Sequence, residues 1–312
     1  MNGLRILGTG RCLPASVVTN DDMSRRVDTS DEWIVSRTGI RERRFCREET
    51  GVQLAAEAAR RAMEQAGITA DQVGLCVVAT FTPDFLTPST ACLVQQALGL
   101  PRDIPAFDLN AACSGFVYGL AVIRGMLSSL TRPYALLIGA EVLSRVLDFT
   151  DRSTCVLFGD GAGAAVLARD EGRLLAIRLG ADGQREPLYC PGPGRGESLL
   201  RMDGRAVFRF AVEAVPRCIG ELLADTGLTL DQVDAVVCHQ ANARIISHVI
   251  RQLKADPAKF YLNVHKYGNT SAASIPIALD EMAEEGRLRP GMKVLCVGFG
   301  AGYTWGGALL EW

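Results

Sequence analysis

The sequence predicts an α/β fold built from two similar halves, and three observations carry that prediction. Short apolar runs rich in β-branched residues read as buried strands, amphipathic stretches of helical period lie between them, and one helix-turn-strand segment recurs later in the chain. With 312 residues and 48% hydrophobic content the chain is long and apolar enough to bury two cores of ordinary domain size.

Taken in order, "GVQLAAEAARRAMEQAG" (51–67) puts Val52, Ala55, Ala59, Ala62, Met63 and Ala66 on one helical face. Arg60, Arg61 and Glu64 face away, and Gly67 is placed to close the helix. "VGLCVVAT" (73–80) follows as a strand. "NAACSGFVYGL" (110–120) sets small residues around a cysteine between a strand-like and a helix-like run, so Cys113 begins a helix. "YALLIGAE" (134–141), "GAAVLARD" (163–170), "DAVVCHQ" (234–240) and "MKVLCVGFG" (292–300) read as further strands. "GADGQREPLYCPGPGRGES" (180–198), rich in Gly, Pro and charge, reads as an excursion from the second half. "HKYGNTSAASIPIALDEM" (265–282) starts an apolar helix beside Gly268 and Asn269. The repeat aligns "AGITADQVGLCVVAT" (66–80) with "TGLTLDQVDAVVCHQ" (226–240) at a constant offset of 160 residues. It divides the chain into halves 1–170 and 171–312, the first carrying the cysteine and the second the His and Asn discussed below.

A net charge of −2 and a pI near 6.0 give no global reason to bind nucleic acid, although a local basic patch could receive an acidic partner. "MNGLRILGTGRCLPASVV" lacks a basic start followed by a sustained apolar core, and no run approaches ~18 unbroken apolar residues, so a cytoplasmic protein with no membrane partner is expected. The 10 cysteines contain no CxxC pair and only 3 histidines accompany them, so neither a metal nor a cofactor is expected. Nine of those cysteines read as small buried hydrophobes. "FGDGAGAAV" (158–166) lacks GxGxxG spacing in a first strand-turn-helix unit, so it reads as a tight turn and not as a nucleotide loop.

Cys113 differs from the rest because unpaired N–H groups and the positive dipole end at a helix start lower a thiol pKa, which makes a nucleophile. In the second copy of the repeat His239 stands where the first has Ala79, at the C-terminal edge of a strand, where α/β sheets bind ligands. Asn269 occupies a third strand-to-helix transition, while His248 and His265 read as structural.

"DLNAACSGF", "HQANARII", "GNTSAAS", "GFGAGYTWG" and "TSDEWIVSRTGIRER" together resemble the 3-oxoacyl-acyl-carrier-protein synthase III family of the thiolase superfamily, over nearly the whole chain. The resemblance implies a thiolase-like five-layer αβαβα sandwich from two duplicated halves, each with a five-stranded sheet, in a homodimer. It implies an acyltransferase of fatty acid biosynthesis in which an acyl-CoA primer loads Cys113 and malonyl-acyl-carrier-protein is decarboxylated and condensed with it, by a ping-pong mechanism. In that chemistry His239 and Asn269 donate to the thioester oxygen as the enolate forms. The backbone N–H groups of Cys113 and Ala301 make a second oxyanion hole; Ala301 departs from the family glycine and serves if its φ is negative.

By the same resemblance Trp33 and Arg152 sandwich the adenine of coenzyme A, with Arg37 near its phosphates. Arg244, Arg209 and Arg251 form a basic rim for the carrier protein. Thr87, Phe158, Met202 and Phe299 surround the primer, Thr87 reaching across the dimer to a position where an aromatic residue would restrict primers to short ones. One alternative is a homologous condensing enzyme or acyltransferase of secondary metabolism using the same triad. Another is a biosynthetic thiolase with Cys296 as its second cysteine, which is disfavoured because thiolases carry His where this chain has Asn269 and Asn where it has His239.

Overall fold

The computed structural model describes residues 3–170 and 174–312. The first sheet holds β1 (Leu4–Cys12), β2 (Val73–Ala79), β3 (Ala106–Leu109), β4 (Tyr134–Glu141) and β5 (Gly161–Arg169), in the order β1-β5-β4-β2-β3. β2 runs parallel to β3 and β4, and β5 antiparallel to β1 and β4. The second sheet holds β6 (Leu174–Gly180), β7 (Ala235–Cys238), β8 (Lys293–Gly300) and β9 (Thr304–Glu311), in the order β7-β8-β9-β6. β7 and β8 are parallel, and β9 is antiparallel to both β8 and β6.

The second sheet therefore has four strands among the described residues, not the expected five. A single parallel bridge, Val236 to Phe260, marks where the first sheet has its edge strand β3. The cause is local. The Gln240 side chain donates to Tyr261 O at 3.1 Å and accepts from Asn263 N–H at 3.0 Å, taking up backbone groups that would extend the ladder. The two halves otherwise share one topology, and the repeated turns match in detail. Gly67 (φ 66°) and Gly227 (φ 68°) end the preceding helices in the left-handed conformation. Thr69 N–H then donates to Gln72 Oε1 at 3.0 Å, as Thr229 N–H does to Gln232 Oε1 at 2.9 Å. The expected division at 170/171 borders residues 171–173, which lie outside the described residues.

The helices of eight or more residues are α1 (Asp31–Thr38), α2 (Gly51–Ala66), α3 (Thr90–Leu98), α4 (Gly115–Met126), α5 (Gly204–Thr226), α6 (Ala243–Leu253) and α7 (Ser274–Glu284). α4 and α7 lie between the sheets, since Phe116, Leu120, Ile275 and Leu279 share one core with Leu137 of the first sheet and Val294 of the second. α2 and α3 cover the outer face of the first sheet, and α5 and α6 that of the second, which completes the five layers. Residues Ala112–Ser129 are long and apolar enough by composition to cross a membrane, but half of that window is buried because α4 is the central-layer helix.

Candidate active site

Two short 3-10 turns, Ala112–Ser114 before α4 and Ser271–Ala273 before α7, meet at the junction of the halves. Each begins on a non-glycine residue in the left-handed region, Ala112 at φ 47° and Ser271 at φ 50°. Such strain costs on the order of 1–3 kcal/mol and persists only where surrounding packing imposes it. The packing here is the pair of sheets pressing α4 and α7 together.

Cys113 sits in the first turn, only 6% exposed. The expectation of a lowered pKa is not met. Burial pushes the thiol up to about 12, the neighbouring Ser271 hydroxyl opposes that rise, and the nearby Glu141 carboxylate adds to it. Enclosure by both sheets outweighs the local benefit of a helix start, so the resting group is a thiol.

His239 directly follows β7, and its N–H continues the parallel ladder to Val297 O at 2.7 Å. Its Nδ1 lies 2.7 Å from Ser274 Oγ, the hydroxyl that also accepts from Gln240 N–H at 3.4 Å. With Ser274 Oγ donating to Nδ1, the ring proton is carried on Nε2. Burial lowers the imidazole to about 3, which keeps it neutral. The Phe299 ring stands edge-on to it, centroids 5.3 Å apart.

Asn269 is clamped by Leu157 and by Gly159, the latter in the segment that reads as a tight turn in the sequence. Its N–H donates to Leu157 O at 2.8 Å and its carbonyl accepts from Gly159 N–H at 3.0 Å. Its Oδ1 accepts from Ser271 N–H at 2.8 Å, so the side-chain NH2 remains as donor. Gly268 makes this geometry possible at φ 65°, where a Cβ would also fall 2.9 Å from Leu157 O.

Ala301 opens the 3-10 turn Ala301–Tyr303 and is not among the residues with positive φ, so the condition on its backbone donor is met. Gly300 beside it packs so closely that a Cβ would lie 2.7 Å from Cys113 N.

Cys113 lines two cavities. The larger, about 740 Å³, brings together Cys113, His239, Asn269 and Phe299, with Trp33, Arg37, Arg209 and Arg244 among the residues around it. The smaller, about 390 Å³, includes Phe81, Leu200 and Ala301. Phe158 borders both, while Met202 borders the larger alone. Both volumes fall in the usual range for ligand sites. Leu188 also borders both, on the excursion 180–198, whose short ladder Leu188–Tyr189 with Arg201–Met202 covers the site.

The guanidinium of Arg152 lies 5.1 Å from the Trp33 ring centre and that of Arg37 5.7 Å from it. Arg152 also donates to Asp28 O at 2.9 Å. Trp33 and Arg152 therefore stack on each other, with no gap between them of the kind the expected sandwich needs. Arg244 and Arg251 stand exposed on α6, Arg251 away from the cavity. Thr87 lies on an exposed loop outside both cavities of its own chain. Cys296 is wholly buried within β8. His248 packs edge-on against Phe208. Among the described residues no cluster of His, Cys, Asp or Glu could hold a metal ion.

The positioning groups Ser271, Ser274 and Glu141 and the lining residues Phe81, Leu188 and Leu200 are not singled out by sequence reasoning. The serines of "GNTSAAS" were the available signal, since small hydroxyl residues before a helix start commonly bond nearby groups.

Family models described as 3-oxoacyl-[acyl-carrier-protein (ACP)] synthase III and its C-terminal part match residues 107–183 and 223–312. A Clostridium beijerinckii protein named beta-ketoacyl-[acyl-carrier-protein] synthase III is 48% identical, with 100% of each chain covered. The crystal structure of 3-oxoacyl-[acyl-carrier-protein] synthase III from Aquifex aeolicus superposes with a TM-score of 0.95 at 44% identity, covering 99% of this chain and 100% of that one. A priming beta-ketosynthase of the R1128 polyketide pathway gives a TM-score of 0.91 at 36% identity, covering 99% and 96%. The fold, the five motifs and similarity along the full length agree, and the chain belongs to the 3-oxoacyl-[acyl-carrier-protein] synthase III family.

Proposed function

We propose that Cys113, His239 and Asn269 perform a decarboxylative condensation of an acyl-CoA primer with malonyl-acyl-carrier-protein, giving 3-oxoacyl-carrier protein, coenzyme A and CO2 and so initiating fatty acid biosynthesis. The observation that carries this reading is the meeting of one buried thiol and two neutral hydrogen-bond donors in a single cavity bordered by arginines.

In the first half-reaction Cys113 Sγ attacks the thioester carbon, and the coenzyme A thiolate leaves. The carbonyl oxygen of the adduct is met by the N–H groups of Cys113 and Ala301. In the second, the malonyl thioester loses CO2 while His239 Nε2–H and Asn269 Nδ2–H receive the growing negative charge on its carbonyl oxygen. Both donors are fixed beforehand by Ser274 and by Ser271 N–H, so no reorganisation is spent at the moment of reaction. The resulting carbanion attacks the acyl-Cys113 carbonyl, and the tetrahedral adduct expels the Cys113 thiolate.

Coenzyme A and then the carrier-protein arm enter by the larger cavity, past Trp33, Arg37 and Arg152. Arg209, Arg244 and Arg251 receive the acidic carrier. The primer chain extends from Cys113 into the smaller cavity. Dimerisation is supported by the free edge of β3 and by Phe85 and Leu86, which are 58% and 76% exposed on the loop leading to α3. Asp108 of β3 accepts from Thr90 N–H at 2.7 Å, which ties that loop to the same edge. A second subunit placed there would bring Thr87 to its neighbour's primer cavity. Ten free cysteines suit the reducing cytoplasm as the compartment.

The reading is tested by incubating the protein with malonyl-carrier protein and a panel of acyl-CoA primers and detecting 3-oxoacyl-carrier protein. Product that depends on Cys113 supports it. Acyl transfer without CO2 release, or use of malonyl-CoA in place of the carrier, would point to the secondary-metabolic condensing enzymes instead.

A further inference from the structure

The mechanism above uses a thiol that burial holds protonated and names no group to take its proton. Glu141, the last residue of β4, is itself almost fully buried and lies within hydrogen-bond reach of Ser271. Ser271 Oγ donates to Glu141 Oε1 at 3.1 Å, and the turn that Ser271 opens packs against the turn that holds Cys113. The other carboxylate oxygen is held by Thr82 Oγ1 at 2.5 Å, Thr80 Oγ1 at 3.2 Å, Thr82 N–H at 3.2 Å and Phe81 N–H at 3.3 Å.

We propose that Glu141 accepts the Cys113 proton through the Ser271 hydroxyl during acylation and returns it when the acyl chain leaves. The inference rests on the acyl-Cys113 reading. As Sγ bonds to the thioester carbon, its proton passes to Ser271 Oγ while the Ser271 proton passes to Glu141 Oε1. The coenzyme A thiolate takes a proton from solvent. After condensation the expelled Cys113 thiolate recovers the proton by the reverse path, so the enzyme returns to its starting form. The buried pocket carries one negative charge before and after each transfer, which avoids placing thiolate and carboxylate side by side.

The charged groups on the elements around β4 are engaged elsewhere. Asp160, at the start of β5, takes Ser144 N–H and Cys46 N–H, each at 2.8 Å. Asp84 takes Gly51 N–H and Val52 N–H and is paired with Arg145. On α2, Arg60 and Arg61 pair with Glu57, and Glu64 is exposed; on α7, Asp280 pairs with Arg11 and Glu281 with Lys266. Arg124 lies in the last turn of α4, at the opposite end from Cys113. Burial pushes Glu141 up to about 7, against its hydrogen bonds, so it changes charge in the working range.

The test is the pH profile of Cys113 reactivity in the full-length protein, read by single-turnover acylation with an acyl-CoA and, independently of any primer, by iodoacetamide alkylation. Wild type is expected to rise through an inflection near pH 7. Glu141→Gln and Ser271→Ala are each expected to lose that inflection and to react about tenfold or more slowly at pH 8. Ser271→Ala carries the test if Glu141→Gln fails to fold, because it leaves the threonine bonds to Glu141 intact and Ala112 already shows alanine at the same φ. An inflection kept in Ser271→Ala, or absent from wild type, overturns the proposal. Acylation absent in wild type while the alkylation profile behaves as stated would overturn the acyl-enzyme reading alone.

Discussion

Gly300→Ala perturbs the proposed backbone oxyanion hole most directly. Gly300 is extended, at φ −168° and ψ −167°, which alanine adopts without strain, so the substitution acts through space alone. The new Cβ would stand 2.7 Å from Cys113 N, 3.1 Å from Ala112 Cβ and 3.3 Å from Cys113 Cα, and the first of these is too short to persist. Relief requires the Cys113 N–H or the Ala301 turn to move by several tenths of an ångström. Complete loss of one such donor costs about 2.7–4 kcal/mol, or roughly 10²–10³ in rate. A displaced donor falls near the lower bound, so acylation should slow about 100-fold. Overpacking should cost stability as well, about 1–3 kcal/mol. The assay is single-turnover acylation followed by mass spectrometry, beside iodoacetamide alkylation of Cys113, which needs no oxyanion hole and should change only a few-fold. A folded variant that acylates at the wild-type rate, or loses alkylation equally, would refute the reasoning.

His239→Ala and Asn269→Ala should each still accept an acyl group but lose about 2.7–4 kcal/mol of transition-state stabilisation in decarboxylation, seen as acyl-enzyme that accumulates without CO2 release. Thr87→Phe should shift primer preference toward shorter chains, each excluded methylene being worth about 0.8 kcal/mol, as read from acylation rates across straight and branched primers. An unchanged chain-length profile would remove Thr87 as the gate. His239 also imposes a pH dependence on stability: its folded pKa of about 3 lies below the ordinary 6.5, so the unfolded chain binds the proton first. That contribution is complete above pH 6.5 and is lost as the pH falls toward 3, by up to about 1.4 kcal/mol per unit. Urea unfolding of wild type and His239→Ala between those limits should show the steeper acid loss in wild type.

The central strands are legible because their sequence is nearly continuous apolar residue: "YALLIGAE" is β4 residue for residue. β1 is hidden by Gly8 and Gly10, which interrupt the apolar run because α2 packs directly on them; Cβ atoms there would fall 2.5 and 2.3 Å from Ala62 O and Ala58 O. β9, with its Gly-Gly pair, is obscured in the same way. The His239 position is visible through the repeat, since a polar group replaces Ala79 at an equivalent strand end. What local reading misses is the environment created by distant segments. The thiol's burial, the Glu141 carboxylate 130 positions from Ser271, and the cover supplied by the excursion 180–198 arise only when the halves close on each other. A rule about helix starts therefore picks out Cys113 from the other cysteines and misjudges its resting charge.

The account is tested most directly by following one acyl group through the enzyme. Wild-type protein incubated with a labelled acyl-CoA, then supplied with malonyl-carrier protein, should carry a single acyl adduct on the Cys113 peptide that disappears as CO2 and 3-oxoacyl-carrier protein appear in equal amounts. An adduct on Cys296, or CO2 released while the Cys113 adduct persists, would contradict it.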